Sequence, residues 1–102
     1  MQKMREKDLQ KQIIDYLRLV GFLVVKFNST GIYKKSTGTY IPQPQKGITD
    51  LLFWGKGKFG AIECKVKGNK LSPEQIRFGG QMTMHGGRFI VAYSLDDVMM
   101  GL

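Results

Sequence analysis

Gly47-Ile48-Thr49-Asp50, Leu51-Leu52-Phe53-Trp54, the turn Gly55-Lys56-Gly57-Lys58, and Ala61-Ile62-Glu63-Cys64-Lys65-Val66 decide how this chain is read. An acid stands at the start of one apolar strand. A second acid and a lysine, one residue apart, stand in the next. Side chains alternate faces along a strand, so Glu63 and Lys65 share one face while Ile62, Cys64 and Val66 share the other. If the two strands pair as a hairpin, Asp50 comes level with Glu63. Two carboxylates and an ammonium then converge on one edge of an apolar sheet. Such a cluster is costly to bury unless it is paired or binds a metal. Its oxygen ligands suit a hard ion such as Mg²⁺ or Mn²⁺, not zinc.

Working outward, residues 4–20 read as an amphipathic helix. Leu9, Ile13, Tyr16, Leu17 and Val20 recur at helical spacing, and Gly21 is a natural stop. Glu6 and Gln10 lie at the start of that face. Residues 22–27 read as a strand, rich in aromatic and β-branched residues. Asn28 to Lys46 holds glycines, prolines, Lys34, Lys35 and Lys46, with Tyr33 and Tyr40 between them. It is expected to be a mobile basic loop without regular structure, placed to clamp a phosphate backbone or stack on bases. Leu51–Trp54 is an unbroken apolar run, expected to be buried on both faces. The Gly55–Lys58 turn is not a P-loop, because no helix opening with Lys-Ser/Thr follows it. Phe59–Val66 is the strand carrying Glu63 and Lys65.

Lys67-Gly68-Asn69-Lys70 is a basic turn. Ser72, Pro73 and Gln75 form a capping box that opens a helix running to Met84, with Ile76, Phe78 and Met82 as candidate apolar contacts. Gln75 is thereby explained as structure. A role beside the acids would compete for the same side chain. His85 fits a C-terminal cap better than a catalytic base. A strand at 88–93 and a short helix opened by Ser94 and Asp97 close the chain.

The set of features resembles the VRR-NUC (virus-type replication-repair nuclease) domains of the PD-(D/E)xK nuclease superfamily. The resemblance is carried by Gly47-x-x-Asp50, the spacer of about a dozen residues, Glu63-Cys64-Lys65, Leu71-Ser72-Pro73-Glu74-Gln75, and the N-terminal helix with Glu6 and Gln10. It runs from about Glu6 to Tyr93. Thr49 stands where the superfamily motif has proline. The resemblance implies a restriction-endonuclease-like α/β core in the order αβββαβα, a small mixed sheet flanked by helices, over a single domain 1–102. It implies metal-dependent hydrolysis of DNA phosphodiesters in phage or prokaryotic replication, repair or recombination. Asp50, Glu63 and the Cys64 backbone carbonyl would hold Mg²⁺ or Mn²⁺, Lys65 would serve the reacting water or phosphate, and Gln75 and Glu6 would support them. Branched DNA and a homodimer are the family-level expectations for substrate and assembly.

Composition agrees with that frame. The 102 residues make one domain, and 42% hydrophobic content argues against general disorder. Sixteen Lys and Arg against eight Asp and Glu leave +8, a field that attracts polyanions. Lys34, Lys35, Lys46, Lys67 and Lys70 are the candidate nucleic-acid contacts. One cysteine, Cys64, excludes an internal disulfide and is expected in the core. No signal core or membrane span is evident, so a soluble cytoplasmic protein is expected. Two alternatives fit the same charge: a DNA-binding module that does not cut, and a basic subunit meeting an acidic protein partner.

Overall fold

The computed structural model describes residues 4–27, 50–66 and 68–102 in full, and the backbone of 32–34 and 39–41. Helix α1 spans Glu6–Leu19 and strand β1 Leu23–Lys26. Strands β2 (Ile32–Lys34) and β3 (Thr39–Ile41) pair with each other alone. β4 (Leu51–Gly55) and β5 (Lys58–Cys64) follow, then α2 (Pro73–Met84), β6 (Arg88–Ala92) and α3 (Leu95–Gly101). The main sheet has the order β1-β4-β5-β6, antiparallel except between β5 and β6. A small mixed sheet flanked by helices is thus present as expected, with one addition. The segment read as irregular contains the β2–β3 hairpin. Its signal is in the sequence, two β-branched and aromatic triplets four residues apart, but prolines and glycines around it masked the pattern.

Acids in the first turn and Arg18 in the last suit the dipole of α1. It ends in a Schellman motif. Gly21 adopts φ 101°, its N–H donates to the Arg18 carbonyl, and the Phe22 N–H donates to the Leu17 carbonyl. The buried stripe Leu9, Ile13, Leu17 packs on Leu51, Phe53, Ile62, Cys64, Ile90 and Ala92 of the sheet, with Val98 of α3. Phe22 meets Phe53 edge to face at 5.6 Å between centroids. Cys64 is fully buried in this core.

Among the described residues the opposite face of the sheet is covered only in part, by α2 over β5 and β6. The β4 run is therefore not buried on both faces. Leu51 and Phe53 point into the core, whereas Trp54 is 42% exposed. Ile76, expected to pack, is exposed as well. No helix among the described residues is long and apolar enough to cross a membrane.

The two adjacent glycines of α2 have opposite meanings. A Cβ on Gly79 would lie 2.3 Å from the Phe89 ring, so only glycine lets the helix sit this close to β6. A Cβ on Gly80 would meet nothing within 4 Å. Gly80→Ala should stabilise the fold by up to about 1 kcal/mol by removing helix-interior glycine. Gly79→Ala should destabilise it by about 1–3 kcal/mol through overpacking. Urea unfolding of both variants separates the two effects.

Candidate active site

The register of β4 and β5 pairs Leu51 with Ile62, so Asp50, one residue earlier, comes level with Glu63. The Cys64 N–H donates to Asp50 Oδ2 at 3.0 Å, and the Phe27 N–H donates to the Asp50 carbonyl at 2.8 Å. These bonds fix the first acid from two sides. A strand residue's N–H and C=O point to the same flank, so the Cys64 carbonyl faces the Asp50 side of β5. Ile62 and Cys64 go into the core, and alternation sends Glu63 and Lys65 to the α2 face. Glu63 is 3% exposed. Lys65 Nζ stands 3.7 Å from Glu63 Oε1.

Gln75 performs both of the tasks that sequence reasoning set in competition. Its Oε1 accepts from the Ser72 N–H at 2.9 Å, completing the capping box, and the Ser72 hydroxyl accepts from the Gln75 N–H. Its Nε2 donates to Glu63 Oε1 at 2.9 Å. An amide has a donor end and an acceptor end, so neither bond displaces the other.

From the other side, α1 brings Glu6 within electrostatic reach of Asp50 and Lys65. Gln10, one turn on, is 8% exposed and hydrogen-bonds the Asp50 carboxylate. In the sequence Gln10 stands out only as a companion of Glu6, and nothing local links it to Asp50; a polar residue continuing an apolar helical stripe is the signal. Lys26 was missed outright. It is exposed at the end of β1, and its charge acts on Asp50. Among the proposed nucleic-acid contacts, Lys70 is exposed in the turn before α2, and Lys34 lies in β2. Lys35, Lys46 and Lys67 lie outside the described residues, as do Gly47, Ile48 and Thr49. His85 caps the C-terminus of α2, as its position in sequence suggested.

The electrostatics follow from crowding like charges in a partly dry place. Burial, then the neighbouring Asp50 charge, pushes the Glu63 carboxyl up from 4.5 to about 7, with Lys65 opposing. Burial also raises Asp50, against the Cys64 N–H, Lys65, Lys26 and Gln10. Glu6 is raised by burial and by Asp50. Glu63 Oε2 is buried and makes no well-formed hydrogen bond among the described residues, although the Asp50 backbone N–H lies close enough to favour the charged carboxylate. A buried carboxylate oxygen without a well-formed hydrogen bond, beside a second carboxylate, fits a hard cation. Among the described residues no cluster of three or more His, Cys, Asp or Glu is close enough to form a complete cage. Two carboxylates plus waters is the usual provision for Mg²⁺, which dehydrates reluctantly.

No protein-family profile matches the chain. Putative nuclease p44 of Acyrthosiphon pisum secondary endosymbiont phage 1 is 29% identical over 97 residues, covering 94% of this chain and 90% of that protein. Among solved structures, a VRR_NUC domain superposes with a TM-score of 0.67 at 24% identity, covering 93% of this chain and 90% of the other. Hjc of Archaeoglobus fulgidus, a Holliday junction resolvase from an archaeal hyperthermophile, gives 0.59 at 17% identity, over 84% of this chain and 65% of Hjc. The resemblance to VRR-NUC domains read from the motifs extends to the whole fold, and the chain has the restriction-endonuclease-like architecture of both structures.

Glu63 also sets a pH dependence of stability. Its carboxyl binds a proton more tightly in the folded chain than in the unfolded one, so raising the pH removes that advantage. Without metal, stability should fall as pH rises from about 4.5 to about 7, following the Glu63 shift. Urea unfolding in EDTA across that range should show the decline in the wild type and a flatter profile in Glu63→Gln.

Proposed function

We propose that this chain is a metal-dependent DNA nuclease of VRR-NUC type that hydrolyses phosphodiester bonds, with preference for branched DNA. The observation that carries the reading is the cluster of Asp50, Glu63 and Lys65 on one sheet edge, with Glu63 Oε2 buried and without a well-formed hydrogen bond among the described residues. The phage nuclease relative and the two structural likenesses support it.

Asp50, Glu63 and the Cys64 carbonyl hold a Mg²⁺ or Mn²⁺ ion. When bound, such an ion makes a water more acidic and offsets charge on the phosphate oxygens. Lys65 orients the attacking water or stabilises the negative charge that develops on the phosphate. Gln75 fixes the orientation of Glu63, Gln10 that of Asp50, and Glu6 adds a third acid at the rim. Lys34, Lys35, Lys46, Lys67 and Lys70, with Lys26 beside the site, meet the phosphate backbone.

The active assembly is a symmetric homodimer, which places two sites on two strands. The observation behind this is the uncovered half of the α2 face. Leu23, Trp54 and Phe59 form one cross-strand row, with Val25 beside it, and all four are exposed. Phe59 continues into a cavity of about 290 Å³ lined by Phe78, Gln81, Met82 and His85. No acidic or basic side chain occurs in the row. On a chain of charge +8, that leaves an apolar face where two like-charged copies can approach.

Labelled single-stranded, duplex, flap and four-way-junction DNA should be cut with Mg²⁺ or Mn²⁺, remain intact in EDTA, and lose at least about 100-fold of the rate in Lys65→Ala. Binding without cutting, unchanged by Lys65→Ala, would establish the binding-module alternative instead. Sedimentation should show a dimer that dissociates in Trp54→Asp, with circular dichroism unchanged because Trp54 is a surface residue. A monomeric wild type would end the homodimer reading while leaving the nuclease reading standing.

A further inference from the structure

One aromatic ring on the active edge is used by neither the core nor the chemistry. The Lys65 N–H donates to the Ala92 carbonyl at 2.9 Å, so the parallel ladder of β5 and β6 runs one step beyond both strands. In that register Tyr93 is the direct neighbour of Lys65, about 4.8 Å away across the ladder. Ala92 and Cys64 are fully buried on the core side, and alternation puts Tyr93 on the face of Glu63 and Lys65. Tyr93 as a whole is 46% exposed.

This exposed aromatic is tied through both its side chain and its backbone. Its hydroxyl donates to the Asn69 carbonyl at 3.0 Å, in a turn itself closed by the Asn69 N–H on the Val66 carbonyl. Its backbone N–H donates to Asp97 Oδ2 at 2.8 Å. A tethered ring has already lost the side-chain freedom that binding would otherwise cost.

We propose that Tyr93 is a stacking platform for an unpaired base flanking the phosphate held at Asp50, Glu63 and Lys65, and so a determinant of specificity for branched or single-stranded DNA. The inference rests on the nuclease reading for its substrate class. A base inside a duplex has both faces covered by its neighbours. A base at a branch, flap or end has a free face, and an aromatic ring beside the reacting phosphate selects for it. The hydroxyl serves the tether, not the DNA.

The test is a scan of abasic substitutions around the mapped cut in a flap substrate. Binding is followed by anisotropy in EDTA and cutting in Mg²⁺, for wild type, Tyr93→Leu and Tyr93→Phe. Wild type should lose about tenfold in affinity at one abasic position next to the cut. Tyr93→Leu should already be weaker by that factor on the intact substrate and lose nothing more at that position. Tyr93→Phe should keep the wild-type base dependence, since it keeps the ring. The proposal is overturned if no abasic position affects wild type, or if the loss is equal in wild type and Tyr93→Leu. It is also overturned if Tyr93→Phe behaves as Tyr93→Leu, which would make Tyr93 a tether for the 68–70 turn alone. A wild type that binds with the stated base dependence but never cuts would sink the nuclease reading and keep the stacking role. One that neither binds nor cuts would sink both.

Discussion

Two carboxylates held level on adjacent strands, with one oxygen of the second left dry and without a well-formed hydrogen bond among the described residues, constrain everything around them. Left uncompensated, that juxtaposition opposes folding, since burial raises the hold of both acids on a proton and the Asp50 charge raises that of Glu63 further. The surrounding structure is arranged to tolerate it. The Cys64 amide and the Gln10 side chain hold Asp50, while Lys65 and Gln75 hold Glu63. These partners come from α1, β5 and α2. The site therefore exists only when the helices of both faces are docked on the sheet. The residual imbalance gives the proposed chemistry a structural cause beyond the likeness to known nucleases.

Much of this was legible in sequence because local rules and the site agree. The period of Leu9, Ile13 and Leu17 gave the first helix. Gly21 gave its end, and Ser72-Pro73 with Gln75 gave the start of the second. The alternation of Ile62, Glu63, Cys64 and Lys65 assigned faces correctly without any tertiary information. What failed depended on what lay opposite. Whether Leu52 and Trp54 are covered cannot be read from an apolar run, because coverage is decided by where α2 lands across the sheet. The exposure of Ile76 has the same origin. Lys26 was invisible because nothing in residues 22–27 says that the strand's end will lie beside Asp50; only the pairing of β1 with β4 does.

The sheet divides the molecule into unequal halves. One face is sealed by α1 and α3 around fully buried Ile13, Leu17, Ile62 and Val98. The other carries the acids at one end and an uncovered apolar row at the opposite end, with α2 between them. Stability is concentrated on the first face and surface chemistry on the second. This division lets 102 residues hold both a core and a charged cluster.

The double engagement of Gln75 ties two kinds of motion together. The first turn of α2 frays only if the amide releases Ser72, and a side chain moving that far also lets go of Glu63. Fraying at a helix end and slackening of an acid in the candidate site, ordinarily separate fluctuations, become a single local opening. Amide protons in the first turn of α2 then report on the order of the acid cluster, and any ligand that tightens Glu63 slows their exchange. A cap that looks purely architectural doubles as a gauge of the site.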